Sequence, residues 1–162
     1  MLVEDKSFKR CCFCGHSDIS YGTDIREKIK AIAEYLILNH NVNEFWVGHY
    51  GNFDGCCSSV IRELQQTYKD IKLELVIPYI TKGINEYREL YYKDYDNILM
   101  ADIPLTTPQR FQIIKGNEYV VDNSDYVICY IERHYGGAYR TFTYSRRKKK
   151  EIFNISPRPI ED

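Results

Sequence analysis

Strand-like and helix-like segments alternate along the chain, and this alternation is the feature that most restricts the folds open to it. The strand-like segments are short and continuously apolar, as in RCCFCG at residues 10–15 and DYVICYI at residues 125–131. Strands that are apolar on both faces are typical of parallel sheets covered by helices. We therefore predict a Rossmann-like α/β fold, a doubly wound, mostly parallel sheet with helices on both faces.

The boundaries of the segments follow from periodicity, glycine and proline. Thr23 or Asp24 is expected to cap the predicted helix Asp24–Asn39, and Thr107 the predicted helix Thr107–Asp122. The polar, tyrosine-rich segment Ile80–Asp96 is a long excursion of the kind that often has a function. The predicted strands are Arg10–Gly15, Glu44–Gly48, Ile71–Pro78, Asn97–Met100, Asp125–Ile131 and Glu151–Ile155, and the predicted helices are Asp24–Asn39, Asp54–Tyr68, Thr107–Asp122 and Gly137–Lys149.

Length and composition exclude several classes of protein. The 162 residues fit one domain, residues 1–162, with a loose tail from about residue 156. The formal net charge of -1 gives no global basic field, so nucleic acid is not expected as a partner, and the basic run Arg146–Lys150 is interpreted as a solvated helix end. No apolar segment approaches the roughly 20 residues of a membrane span, and the charged N-terminus lacks a signal sequence, so we expect a cytoplasmic protein.

The six cysteines are expected to be reduced thiols in that compartment. Cys11 and Cys14 have the spacing of a metal-binding pair, but they fall within one predicted strand. Residues three apart in a strand point to opposite faces of the sheet. We therefore expect buried thiols, with no metal site and no cofactor.

Glycine-containing turns follow three of the predicted strands: GHSD at residues 15–18, GHYGNFD at residues 48–54 and YGGAYRT at residues 135–141. Glycine permits a positive φ angle and a close approach of the backbone to a ligand. The helix that follows directs free N–H groups and a partial positive charge to the same point. Because parallel strands end at one edge of a sheet, the three turns predict a shared pocket for an anionic ligand.

Side chains in these turns have alternative interpretations. Thr141 could donate to a phosphate oxygen and Arg140 could form paired hydrogen bonds with it, or both could be ordinary surface residues. His16 and His49 could bind a ligand or transfer a proton, or have structural roles. Asp54 is expected to cap the second helix, since a carboxylate repels phosphate, although it could instead bind a ribose hydroxyl.

Five segments together resemble a known group of proteins: CCFCGH at residues 11–16, FWVGHYGNFD at 45–54, LELVIPY at 73–79, NEYVVDNSDYVICYI at 117–131 and GGAYRTFTYSRRKKKEIFNI at 136–155. In this order they resemble the SLOG superfamily, which includes the LOG cytokinin-activating enzymes and DprA, and within it the YpsA-like branch of bacteria and their phages. The resemblance spans nearly the whole chain. It implies a pocket for nucleotides or nucleotide-derived molecules and a homo-oligomer.

The resemblance also has departures that bear on activity. LOG enzymes hold phosphate with a PGGxGTxxE motif, in which Gly136 and Gly137 match the glycine pair and Thr141 matches the threonine after a one-residue shift. The catalytic glutamate has no match, and the Arg-Asn pair of YpsA-like chains corresponds to Gly116 and Asn117. The candidate ligand-binding residues are therefore Gly15, His16, Gly48, His49, Gly51, Asp54, Asn117, Gly136, Gly137, Arg140 and Thr141.

Three functions remain open from the sequence. The first is a module that senses, carries or sequesters a nucleotide-derived small molecule. The second is a nucleoside monophosphate phosphoribohydrolase, which needs a carboxylate from Asp54, Glu118 or Glu132. The third is an oligomeric interaction protein with an unused pocket, whose segment Tyr87–Tyr95 covers a partner.

Overall fold

The computed structural model describes residues 8–79 and 88–160. Within these residues, six strands form one sheet in the order β4-β3-β2-β1-β5-β6. Every neighbouring pair of strands is parallel. The strands are β1 (Lys9–Gly15), β2 (Val42–Val47), β3 (Lys72–Ile77), β4 (Asn97–Met100), β5 (Tyr126–Tyr130) and β6 (Glu151–Asn154).

Helices cover both faces of this sheet. In the same described ranges they are α1 (Thr23–Asn39), α2 (Asn52–Leu64), α3 (Arg88–Asp94), α4 (Gln109–Asp122) and α5 (Gly137–Arg147). Helices α1 and α2 pack together on one face, and α4 and α5 pack together on the other. The predicted Rossmann-like, doubly wound α/β fold is therefore confirmed, and the sheet is parallel throughout the described strands.

The core has two layers because successive strand residues point to opposite faces of the sheet. Phe13 and Phe45 face α1 and α2, with their ring centroids 6.1 Å apart. Trp46 faces α4 and α5 together with Cys14. Cys11 belongs to the first layer, so the prediction that Cys11 and Cys14 face opposite sides is confirmed.

The expected helix caps are wrong. Helix α1 begins at Thr23 with Gly22 as its N-cap, and no side chain bonds to its first turn, so neither Thr23 nor Asp24 is the cap. Helix α4 begins at Gln109 after Pro108, and the hydroxyl of Thr107 donates to the carbonyl of Pro104 at 2.6 Å. The threonine hydroxyl therefore closes a local turn instead of capping the helix.

Two further segments carried specific expectations from the sequence. Of the excursion Ile80–Asp96, residues 80–87 lie outside the described residues, and Arg88–Asp94 forms the short helix α3. In the tail expected to be loose, Ser156 is buried and Ile160 contacts the layer under α4 and α5, whereas residues 157–159 are exposed. No helix in the described ranges combines the length and apolar character that a membrane span requires.

A matched pair of phenylalanines tests the two-layer core. Phe45 is 0% exposed and Phe8 is 62% exposed. We expect Phe45→Ala to lower the free energy of unfolding by about 3–5 kcal/mol, because it removes buried area and leaves a cavity. Phe8→Ala should change it by less than about 0.5 kcal/mol. Urea denaturation measures both values, and equal losses would contradict the assignment of Phe45 to the core.

Candidate functional site

The loops after β1, β2 and β5 meet at the carboxyl edge of the sheet and line a cleft of about 230 Å³. A smaller cavity of about 40 Å³ adjoins it and shares Tyr50, Asp54 and Asn117 as lining residues. Drug-sized ligands occupy pockets of roughly 300–1,000 Å³. The cleft thus has room for a phosphate group and a sugar, with further ligand atoms outside it or in the adjoining cavity.

Most of the candidate residues line this cleft, but three do not. Gly48 lines the smaller cavity, and His49 lines neither space. Arg140 is exposed and also lies outside both, because it is one turn into α5 and faces solvent. The candidates that do line the cleft are Gly15, His16, Gly51, Asp54, Asn117, Gly136, Gly137 and Thr141.

The glycines of the cleft have two different structural roles. A Cβ atom on Gly15 would overlap the ring of Phe53, and one on Gly51 would overlap Ser17, so both glycines permit close packing between loops. A Cβ atom on Gly136 or Gly137 would meet nothing within 4 Å. Gly136 also has a φ angle of 94°, which L side chains rarely adopt. The Gly136–Gly137 turn is therefore the one that leaves open space above its backbone.

The N-terminus of α5 opens into the cleft without a side-chain cap and without an acidic residue in its first turn. The first helical hydrogen bond joins the N–H of Arg140 to the carbonyl of Gly136. The backbone N–H groups of Gly137, Ala138 and Tyr139 precede it, at positions that intrahelical bonds leave free. Such a helix start attracts anions through its N–H groups and the helix dipole.

Thr141 lies close to this helix start, but its hydroxyl is already engaged. Oγ1 of Thr141 donates to the carbonyl of Gly137 at 3.1 Å. Thr141 also lies beyond the first turn, because α5 begins at Gly137. Donation to a ligand would therefore require the hydroxyl to rotate away from the helix backbone.

Asp54 lies in the first turn of α2, whose N-cap is Gly51 and not Asp54 as expected. Its carboxylate reaches back and accepts the backbone N–H of Tyr50 at 3.0 Å. Burial raises the pKa of Asp54 to about 6, and the Tyr50 hydrogen bond only partly opposes this. Asp54 therefore stabilises the turn after β2 and gives the cleft a carboxyl group that can hold a proton just below neutral pH.

His16 is buried in the wall of the cleft and joins two loops. Its Nε2 accepts the backbone N–H of Glu132 at 3.1 Å, and its carbonyl accepts the hydroxyl of Tyr21 at 2.6 Å. Burial lowers the pKa of His16, and the nearby Arg133 lowers it further. The neutral ring with an accepting Nε2 carries its proton on Nδ1, which donates to no protein atom in the described part of the chain.

The lining residues that sequence reasoning did not select include Asp18, Arg133 and Tyr135. Arg133 forms an ion pair with Asp18, from Nη1 to Oδ1 at 3.0 Å. Tyr135 is 67% exposed, and Arg133 lies over its ring at 5.7 Å from the centroid. The signal that could have found Arg133 is its position two residues after the segment DYVICYI, in the same loop as the glycine pair.

The three carboxylates considered for catalysis differ in whether they line the cleft. Glu132 accepts hydrogen bonds from Tyr130 and Ser156, both at 3.2 Å, and does not line the cleft. Glu118 pairs with Lys115 at 3.4 Å and is also outside it. Asp54 is the member of this set that reaches the cleft.

Cysteines do not form a metal centre in the described residues. All six are free, five of them buried. Burial raises the pKa of the Cys57 thiol well above its ordinary value, and such thiols are poor nucleophiles. No group of three histidine, cysteine, aspartate or glutamate residues in the described ranges is arranged to hold a metal ion.

Comparison with known proteins adds a family and a fold. A family model described as the YspA SLOG family (YpsA) matches residues 22–159. No curated protein matches the chain. A solved structure of DNA processing protein A from Helicobacter pylori, from work on its single-stranded DNA binding mode, is 13% identical with a TM-score of 0.62. That match covers 90% of this chain and 64% of the other, and at this identity it supports the fold alone.

Substitution of Asp54 tests its raised pKa. A carboxyl with a folded-state pKa of about 6 and an ordinary value of 3.8 destabilises the fold increasingly as pH rises between these values. We therefore expect Asp54→Asn to raise the free energy of unfolding by about 3 kcal/mol at neutral pH, with the gain disappearing at low pH. Urea denaturation at several pH values measures this difference.

Asp18→Asn is the control, for which we expect a change in stability of the opposite sign at neutral pH. The hydrogen bond from Arg133 lowers the pKa of Asp18, so its ion pair stabilises the fold at neutral pH and is lost on acidification. Asp18→Asn should therefore lower stability slightly at neutral pH and have no effect at low pH. A gain from Asp54→Asn that does not vary with pH would contradict the raised pKa of Asp54.

Proposed function

The chain belongs to the YspA SLOG family, and on that premise we propose that it binds a nucleotide or nucleotide-derived small molecule with a phosphate at the start of α5. The observation that carries the proposal is the uncapped N-terminus of α5, which opens into the cleft at the Gly136–Gly137 turn. This helix start has no acidic residue in its first turn. The protein would act as a sensor, carrier or sequestering protein.

Other groups around the cleft suit the remaining parts of a nucleotide. Nδ1–H of His16 can donate to a phosphate or sugar oxygen. Asp54 and Asn117 line both the cleft and the smaller cavity, and their oxygens can accept ribose hydroxyls. The exposed rings of Tyr50 and Tyr135 at the rim offer faces for stacking with a base.

Assembly and location belong to the same proposal. We expect one domain spanning residues 1–162, a homo-oligomer, and a cytoplasmic protein. Light scattering during gel filtration measures the oligomeric state. A strictly monomeric protein would contradict the oligomer and leave the ligand site unaffected.

A pair of glycine substitutions tests the phosphate site. Gly137 lines the cleft and Gly55 does not, yet a Cβ atom on either meets nothing within 4 Å. We expect Gly137→Val to fold normally and to weaken binding more than about tenfold, because its methyl groups occupy the phosphate position. Gly55→Val places the same side chain in α2 outside the cleft and should leave binding unchanged.

Thermal shift with AMP, ADP-ribose, NAD and cyclic dinucleotides provides the measurement, because a ligand that binds the folded state raises its Tm. The wild type and Gly55→Val should be stabilised by at least one of these compounds, and Gly137→Val should not. Equal shifts in all three proteins would place the ligand elsewhere. The absence of any shift in the wild type would favour an interaction protein with an unused pocket.

The raised pKa of Asp54 favours a second candidate, a nucleoside monophosphate phosphoribohydrolase. A carboxyl with a pKa of about 6 inside the cleft can exchange a proton near neutral pH. The wild type incubated with AMP would then release free adenine, which chromatography detects. Asp54→Asn would release adenine at least about 100-fold more slowly. If AMP stays intact in the presence of the wild type, the hydrolase is ruled out and binding without hydrolysis is the remaining candidate of the two.

Single-stranded DNA is a further ligand to include in the screen. The expectation that nucleic acid is not a partner finds no support in the comparison, since DNA processing protein A is described by its single-stranded DNA binding. The basic run Arg146–Lys150 lies at the C-terminal end of α5, away from the cleft. Oligonucleotide binding that persists in Gly137→Val would therefore indicate a separate surface.

A further inference from the structure

An ion pair joins two loops of the cleft at its solvent-exposed side. Asp18 follows β1, and Arg133 follows β5. Nη1 of Arg133 lies 3.0 Å from Oδ1 and 3.2 Å from Oδ2 of Asp18. The side chain of Asp18 is 66% exposed and that of Arg133 is 27% exposed, and both residues line the cleft. Such an exposed ion pair adds little to stability and can exchange partners readily.

Arg133 retains hydrogen-bond donors that the protein does not use. Within residues 8–79 and 88–160, its hydrogen bonds to protein atoms come from Nη1 alone. Arg10 differs, because Nε and Nη2 donate to Glu44 and Nη1 donates to the carbonyl of Asn123. The free side of the Arg133 guanidinium can therefore form the paired hydrogen bonds that arginine makes with phosphate.

The charges of the cleft determine where a second phosphate would go. The first phosphate takes the start of α5, which carries no acidic residue. The start of α2 is less favourable because Asp54 lies in its first turn. His16 adds no positive charge at neutral pH, because burial and Arg133 both lower its pKa. Arg133 is the remaining cationic side chain among the described residues that line the cleft.

We propose that Arg133 binds a second phosphate and that Asp18 holds this arginine until the ligand arrives, so that the cleft prefers nucleoside diphosphates to nucleoside monophosphates. The inference rests on the proposed nucleotide-binding function and specifies its ligand class. Asp18 acts as an internal competitor, because its exposed carboxylate lies beside the guanidinium and offsets the positive charge that the second phosphate would bind. Arg133 and Gly136 are three residues apart in one loop, so the two anion sites suit adjacent phosphates of one diphosphate group.

Calorimetric titration with ADP and AMP tests this preference, because the two ligands differ by one phosphate only. The proteins to compare are the wild type, Arg133→Met, Asp18→Asn and the control Asp70→Asn. Asp70 is exposed and precedes β3, at the edge of the sheet opposite the cleft, so its substitution removes the same charge elsewhere. Circular dichroism and Tm identify any variant that does not fold.

The two cleft variants should change binding in opposite directions. Arg133→Met should weaken ADP binding by about tenfold, the effect of losing a charge-assisted hydrogen bond, and change AMP binding by less than about threefold. Asp18→Asn should strengthen ADP binding by at least about threefold, because the competing carboxylate is gone. Asp70→Asn should match the wild type.

Two outcomes would overturn the inference in distinguishable ways. An unchanged ratio of ADP to AMP affinity in Arg133→Met, or weaker ADP binding in Asp18→Asn, would refute the second phosphate site while nucleotide binding itself stood. A wild type that binds neither nucleotide, nor any other compound of the thermal-shift series, would refute the proposed function and this inference together.

Discussion

The parallel pairing of β1 with β2 on one side and with β5 on the other is the constraint on which the cleft depends. Because all three strands run in the same direction, their carboxyl ends reach one edge of the sheet side by side, and the loops that follow them must share that edge. Close packing then fixes their distance: Gly51 lies against Ser17, and the N–H of Asn52 donates to the carbonyl of Ser17 at 3.1 Å. The cleft is what remains between loops placed in this way.

The positive and the negative charges of the cleft come from different groups. The positive potential comes from the backbone at the start of α5 and from the guanidinium of Arg133, whereas Asp54 and Asp18 contribute carboxyl groups. Asp54 is half-buried beside the turn that it supports, while Asp18 is exposed and paired. The proposed ligand would therefore meet a fixed backbone site and a movable side-chain site, which differ in how much the protein must rearrange on binding.

The fold was predictable from the sequence because apolar runs such as DYVICYI have no stable position other than the middle of a covered sheet. The helix caps were not, because a threonine such as Thr107 can close its own turn as readily as cap a helix. Glycines of the three turns lie at the cleft or at the cavity beside it, but the sequence did not show that Gly15 packs against Phe53 while Gly137 faces open space. The predicted start of α5 at Gly137 was correct, but it did not show that Arg140 faces solvent, and Arg133 was not considered as a candidate.

The contacts of Glu132 connect the cleft with the C-terminal segment. Its backbone N–H is held by His16, its carboxylate accepts the hydroxyl of Ser156, and that hydroxyl in turn accepts the N–H of Arg158. A polypeptide truncated after β6 would lose Ser156 and Arg158, and the carboxylate of Glu132 would then have fewer hydrogen-bond partners. The smallest fragment that keeps these contacts therefore extends past the final strand, and affinity tags are better attached at the other terminus.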